Sequence, residues 1–120
     1  MDNELTPLQS LTAARALIAD PKHWTKNTYA KDVEGRSVPA TDPEAFCFCS
    51  VGALYKVNDV EHMCQGLPGR SFLFKAAFEV STKYFRDTQG PITLNDKVEH
   101  AIVMEMYDRA ITLATEGEAA

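Results

Sequence analysis

The sequence predicts a mainly α-helical fold, an irregular four-helix domain with a short hairpin-like arm between the first and second helices. Four segments place apolar residues at helical spacing between capping residues and helix breakers. One of them, residues 45–55, is apolar on almost every side, so protein must cover it on every side. Residues 21–40 have no helical period, yet contain Trp24 and Tyr29. They therefore predict an irregular arm anchored by aromatic side chains.

Composition is that of one globular domain, expected to span residues 1–120 with frayed tails at 1–4 and 117–120. Of the 120 residues, 45% are hydrophobic and 24% are charged, which is enough to bury a core. The formal net charge is -5 and the basic residues are scattered, so nucleic-acid binding is not expected.

Three cysteines, an odd number, do not form a disulfide framework. Residues 1–4 are acidic and lack the pattern of a signal peptide. The longest apolar run is shorter than the about 20 residues that cross a bilayer. These features predict a cytoplasmic protein with free thiols and no membrane contact.

The first helix has a clear start and stop. Thr6 is a typical N-cap, and Pro7 occupies the first helical position, where a missing N–H is tolerated. Asp20 and Pro21 end the helix. The predicted buried face consists of Leu8, Leu11, Ala14, Leu17 and Ile18.

The arm is expected to contain a short hairpin. Residues 28–31 and 36–38 flank residues 32–35, which form a four-residue turn ending in glycine. A two-stranded ribbon is marginally stable alone. Trp24 and Tyr29 are therefore expected to attach the arm to the helical core.

The central helix is expected to begin with Pro43 in first position, after Asp42, and to end near Asn58. Within it, Cys49, Gly52 and Ala53 would share one face, on which their small size allows another helix to approach closely.

The third helix, of about 16 residues, is expected to be capped by Ser71 and to end before the breaker at residues 89–91. Residues 92–94 are expected to be extended.

The last helix is expected to be capped by Asn95 or Asp96 and to end near Thr115. Asp96 and Glu99 have the spacing of a capping box, with aspartate in place of serine or threonine.

Three groups of residues follow one another along the chain in a distinctive order. They are Trp24, Thr25, Tyr29, Ala30, Asp32 and Gly35, then Cys49, Gly52, Ala53 and Leu54, then Asn95 and Asp96. Together they resemble a family of small bacterial and phage proteins of unknown function. The resemblance covers roughly residues 11–111 and implies a compact, single-domain intracellular protein with no established activity. In place of the family's usual Gln-Gly after the Trp-Thr pair, this chain has Lys26 and Asn27.

A cysteine nucleophile is one hypothesis for the chemistry. Cys49 with His100 or His62 as base and Asp96 as orienting group contains the required residue types. Deep inside an apolar helix, however, the Cys49 thiol would be stabilised in its neutral form. The sequence therefore favours a buried structural cysteine.

A metal site is a second hypothesis, because Cys47 and Cys49 are followed by His62 and Cys64. Residues two apart on a helix point in nearly opposite directions, so the two helical cysteines would not share an ion. No metal and no cofactor is therefore expected.

A binding surface is the third hypothesis, because polar and aromatic residues on irregular backbone often form binding sites. The arm contributes Trp24, Thr25, Asn27, Tyr29 and Asp32, and a second chain reversal contributes Asn95 and Asp96. The same residues also fit structural roles as a core plug, caps and a turn. Aromatic residues often anchor interfaces. The sequence therefore favours a non-enzymatic interaction protein that binds a protein partner or a second copy through the arm.

Two alternatives stay open, and both place a pocket near Cys49, Asn95 and Asp96. One is a small cysteine-dependent hydrolase or transferase. The other is a small-molecule-binding protein.

Overall fold

The computed structural model describes residues 4–61 and 66–119. That part of the chain contains five helices and a two-stranded antiparallel sheet, so the expectation of a mainly helical fold is confirmed and that of four helices is wrong. In chain order the elements are α1 (Pro7–Leu17), a 3₁₀ turn (Pro21–His23), β1 (Ala30–Lys31), β2 (Cys47–Phe48), α2 (Ser50–Asn58), α3 (Arg70–Phe85), α4 (Pro91–Lys97) and α5 (His100–Ala119).

Helix α1 begins as predicted. Thr6 and Gln9 form a complete capping box, in which each side chain accepts a hydrogen bond from the backbone N–H of the other residue. The helix ends at Leu17, and Leu11 and Ile18 are fully buried in the core.

The start of the central helix was predicted wrongly, because α2 begins at Ser50 and not at Pro43. The carboxylate of Asp42 accepts a hydrogen bond from the backbone N–H of Glu44, so the Asp-Pro-Glu signal forms a turn. Residues 47–48 then pair with β1. Short runs of Phe and Cys fit a strand as well as a helix, and pairing with the distant arm decides between them.

The arm contains the predicted turn at residues 32–35. The carboxylate of Asp32 accepts hydrogen bonds from the backbone N–H groups of Glu34 and Arg36, and Gly35 has a φ of 83°. Only one isolated antiparallel bridge, Lys31 to Ser37, joins the two predicted strands of the hairpin. The ladder partner of β1 is β2.

Two expectations near the end of the chain were wrong. Residues 92–94 are helical, because Pro91 begins α4 and is preceded by Gly90 as N-cap. Asn95 and Asp96 therefore lie inside α4 and do not cap α5, which begins at His100.

The bounds of two further helices also differ slightly from the expected ones. Helix α3 has the expected 16 residues, but its N-cap is Gly69 rather than Ser71. Helix α5 continues to Ala119, so residues 117–119 belong to the helix rather than to a frayed tail.

Helix α2 packs on α1, and α5 packs on both α1 and α3. Residues 50–55 are buried on every side, as the sequence predicted for most of the apolar run. No helix within residues 4–61 and 66–119 has the length and hydropathy needed to cross a bilayer.

Candidate functional site

Asn95 is a fully buried residue of α4 that holds three segments together. Its Oδ1 accepts hydrogen bonds from the indole Nε1–H of Trp24, at 2.8 Å, and from the backbone N–H of Ser50, at 3.0 Å. Its Nδ2 donates to the carbonyl oxygen of Thr25, at 3.0 Å, and to Oδ1 of Asp96, at 3.3 Å. One amide thereby joins the arm, the start of α2 and α4.

Gly52 lets the arm reach α2. The backbone N–H of Cys49 donates to the carbonyl oxygen of Tyr29 at 3.1 Å, and this carbonyl lies directly over Gly52. A Cβ atom on Gly52 would lie 2.0 Å from that oxygen. The contact therefore requires glycine at position 52. In the spacing of the two residues, Cys49 is the N-cap of α2 and Gly52 is the position at which the arm backbone passes close to the helix.

A cavity of about 270 Å³ lies where the arm meets α4 and the start of α2. Asn27 adopts the left-handed conformation, with φ 68°, and its backbone N–H donates to Oδ1 of Asp96 at 2.8 Å. This hydrogen bond ties the arm to α4 at the cavity. The lining residues are Asn27, Thr28, Tyr29, Cys49, Ile92 and Asp96.

Cys49 is the N-cap of α2, and its Sγ accepts a hydrogen bond from the backbone N–H of Gly52 at 3.2 Å. The thiol was expected two turns inside a helix, which is wrong, although the residue is buried, with 3% exposed. Burial raises the pKa of the thiol to about 11, and the negative charge of Asp96 contributes in the same direction. The side chain is therefore a neutral thiol at physiological pH.

Within residues 4–61 and 66–119, Cys49, His100 and Asp96 do not form one hydrogen-bonded group. Nε2 of His100 lies 2.7 Å from the carbonyl oxygen of Ile18, and its ring packs edge-on against Trp24. In the described ranges, no hydrogen bond links Cys49 to His100 or His100 to Asp96. His62, the other predicted base, lies outside the described residues.

The argument against a metal ion shared by Cys47 and Cys49 assumed that both lie within a helix. That placement was wrong, because Cys47 lies in β2 and Cys49 follows that strand as a helix cap. Across residues 4–61 and 66–119 there is no group of three His, Cys, Asp or Glu side chains that would hold a metal ion. His62 and Cys64 lie outside those ranges.

The structure gives the predicted binding residues different environments. Trp24 is half-buried, Tyr29 is 41% exposed, and Asp32 is buried within its turn. The backbone N–H of Thr25 donates to the carbonyl oxygen of Phe48, which places β2 beside the arm.

Two cavity residues were missed by the sequence reasoning, namely Thr28 and Ile92. Ile92 was assigned to an extended segment, and its proximity to the arm depends on α4. The proline that begins α4 was the available signal for that helix.

We expect iodoacetamide to alkylate Cys49 slowly in the folded protein. At pH 8, a pKa of about 11 instead of 9.0 lowers the thiolate fraction, and hence the rate, by about a hundredfold relative to the unfolded chain. The measurement uses a variant in which Cys47 and Cys64 are serine, assayed with and without guanidinium. A native rate equal to the unfolded rate would restore the nucleophile hypothesis.

Fold and site together define a small, mainly helical protein in which an irregular arm closes a cavity against two helices. The chain belongs to a family of unknown function, DUF6197, whose model matches residues 2–113. Comparison with curated proteins and with solved structures found no match.

Proposed function

We propose that this chain is a non-enzymatic binding protein that takes a small molecule into the cavity between the arm and α4. The observation that supports the proposal most directly is the cavity itself, whose six lining residues come from the arm, from α4 and from the cap of α2. Binding sites typically combine apolar walls with a few polar groups in such a concave position. Here Tyr29 and Ile92 supply apolar surface, and Asn27 and Asp96 supply polar atoms.

The state of Cys49 favours binding over catalysis. A thiol nucleophile needs a lowered pKa or an adjacent base. The pKa of Cys49 is raised, and its sulfur accepts a hydrogen bond from the N–H of Gly52. We therefore assign the sulfur a role as a neutral wall of the cavity.

The size of the cavity indicates the size of the ligand. Pockets for drug-sized molecules have volumes of roughly 300 to 1,000 Å³. At about 270 Å³, this cavity suits a smaller molecule, such as a metabolite with a short carbon chain.

A protein partner or a second copy bound through the arm stays a prediction. Within the arm, Val33 is 73% exposed and Tyr29 is 41% exposed. Trp24 is a poor probe of such a surface, because its indole N–H is bonded to Asn95. A cytoplasmic location and a bacterial or phage origin also remain expectations.

The test is a fragment screen followed by amide chemical shifts, with the cavity blocked in one variant. Ile92→Trp places a large ring at the cavity wall, whereas Thr93→Trp places the same ring at the exposed neighbouring position of α4. We expect fragments that perturb the amides of residues 27–29 in the wild type to lose at least about tenfold in affinity in Ile92→Trp.

Thr93→Trp should bind the same fragments as the wild type does. If both variants bind equally well, the ligands occupy another place and the proposal is wrong. If no fragment perturbs residues 27–29, the cavity is not a binding site.

A further inference from the structure

We propose that the ligand of this cavity is a small primary amine, bound as its ammonium ion with Asp96 as the counter-ion. The inference rests on the proposed function and names the chemical class of its ligand. It follows from the charge of the cavity, from the hydrogen bonds of Asp96 and from the nature of the remaining wall.

Asp96 is the only residue among the six that line the cavity with a charged side chain at neutral pH, because the Cys49 thiol is protonated. Within the described part of the chain, Asp96 forms no ion pair with lysine or arginine. The nearby ammonium group of Lys26 lies over the ring of Trp24, 5.6 Å from its centre. The cavity therefore carries the negative charge of a carboxylate that is not paired with any described lysine or arginine.

The hydrogen bonds of Asp96 use one of its two oxygens. Oδ1 accepts from the backbone N–H of Asn27 and from Nδ2 of Asn95, which fixes the orientation of the carboxylate. Oδ2 accepts no hydrogen bond from any residue of the described ranges. A half-buried carboxylate held in this way has an oxygen available to a ligand cation.

The other lining residues suit a short alkylammonium ion. The ammonium group offers three N–H donors, and Asn27, which is bonded to Asp96 at the cavity, carries an amide oxygen that can accept one of them. The hydroxyl of Thr28 is already bonded to Ser37 and to the carbonyl oxygen of Ala30. The ring of Tyr29 attracts cations through its face, and Ile92 offers apolar surface to a carbon chain. The negative charge of Asp96 would repel an anionic ligand, so we expect anions to bind poorly in this cavity.

The test is a titration of the full chain with n-butylammonium chloride, followed by amide chemical shifts. We expect a Kd that is roughly millimolar for a ligand of this size, with the shifts centred on residues 27–29 and 92–96. Butanol and butyrate test the charge, and tetramethylammonium, which has no N–H donor, tests the hydrogen bonds. All three should bind at least about tenfold more weakly.

Two matched variants test the role of the carboxylate. Asp96→Asn keeps one acceptor oxygen for Asn27 and removes the charge, and it should weaken butylammonium binding by about tenfold or more. Asp59→Asn removes the same charge at the opposite end of α2, where asparagine suits the left-handed backbone conformation. Its affinity should equal that of the wild type.

A blocked tripeptide with a central lysine distinguishes a free amine from the side chain of a protein. Equal or weaker binding of the peptide supports a free amine, and tighter binding overturns that assignment.

The proposal is also overturned if butanol or tetramethylammonium binds as well as butylammonium does, or if Asp96→Asn binds butylammonium with unchanged affinity. If butylammonium fails while other fragments bind at residues 27–29, the ammonium proposal fails and the proposed function stands. If no compound binds there, both fail.

Discussion

Replacing Gly52 with alanine is expected to detach the arm from α2 and to lower the free energy of unfolding by about 3 kcal/mol or more. The added Cβ atom would lie 2.0 Å from the carbonyl oxygen of Tyr29 and 2.8 Å from its carbonyl carbon. Both are backbone atoms, so no side chain can rotate away to relieve the overlap. The arm must move, and the hydrogen bond from Cys49 to Tyr29 is then lost.

Urea unfolding measures this loss, and fluorescence of Trp24, the only tryptophan of the chain, reports the arm at the same time. Two other glycines provide controls. Gly66→Ala adds a Cβ atom in open space and should change the stability by less than about 0.5 kcal/mol. Gly35→Ala also has open space but a φ of 83°, so it should cost about 1 to 2 kcal/mol.

A stability of Gly52→Ala close to that of Gly66→Ala would contradict the contact between Tyr29 and α2. The cavity would then lack its wall on the arm side. A loss of unfolding free energy close to that of Gly35→Ala would mean that the arm can move away from α2 with little loss of stability.

Features formed by residues close together in the sequence were predicted correctly from local signals. The capping box at Thr6 depends on residues three apart, and the turn at residues 32–35 depends on one aspartate and one glycine. The N-cap role of Thr6 and the turn were both predicted from local residue types, whereas the contribution of Gln9 to the cap was not. Neither needs a contact with a distant part of the chain.

The central segment was misassigned because its structure depends on a distant partner. Cys47 pairs with Lys31 and Phe48 pairs with Ala30, and a helical pattern does not record a pairing with so distant a segment. The same error placed Cys49 within a helix rather than at its cap. The burial of Cys49 and the neutral state of its thiol were nonetheless predicted correctly, because apolar neighbours surround the residue both within a helix and at its cap.

The candidate site was predicted in part for a similar reason. Cys49, Tyr29 and Asp96 were each singled out by residue type, and they do line one cavity. Ile92 carries no chemical signal of its own, and it joins the cavity only because α4 packs against the arm. Residue type thus identified the side chains with distinctive chemistry, but not the apolar residues that complete the lining of the cavity.

Replacing Asn95 with alanine is expected to lower the free energy of unfolding by about 4 kcal/mol, because several buried polar groups lose their partner at once. The backbone N–H of Ser50 and the indole N–H of Trp24 would lose an acceptor, and the carbonyl of Thr25 would lose a donor. The cavity left by the side chain adds to the cost. Urea unfolding provides the measurement, with the emission of Trp24 expected to shift to longer wavelength as the arm loosens.

The matched control for Asn95→Ala is Trp24→Phe, which removes one of these hydrogen bonds and keeps an aromatic ring, at an expected cost of about 1 to 2 kcal/mol. Because Trp24→Phe leaves the chain without tryptophan, the urea unfolding of this variant and of the double variant is followed by far-UV circular dichroism. If Asn95 is the link between the arm and α4, the double variant should be less destabilised than the sum of the two single losses, because the second change removes a partner already lost. Additive losses, or a loss for Asn95→Ala no larger than that for Trp24→Phe, would show that the arm is held by other contacts. The cavity at residues 27–29 would then not depend on this amide. Because Asn95 also donates to Asp96, its removal should weaken butylammonium binding even in the fraction of molecules that remain folded.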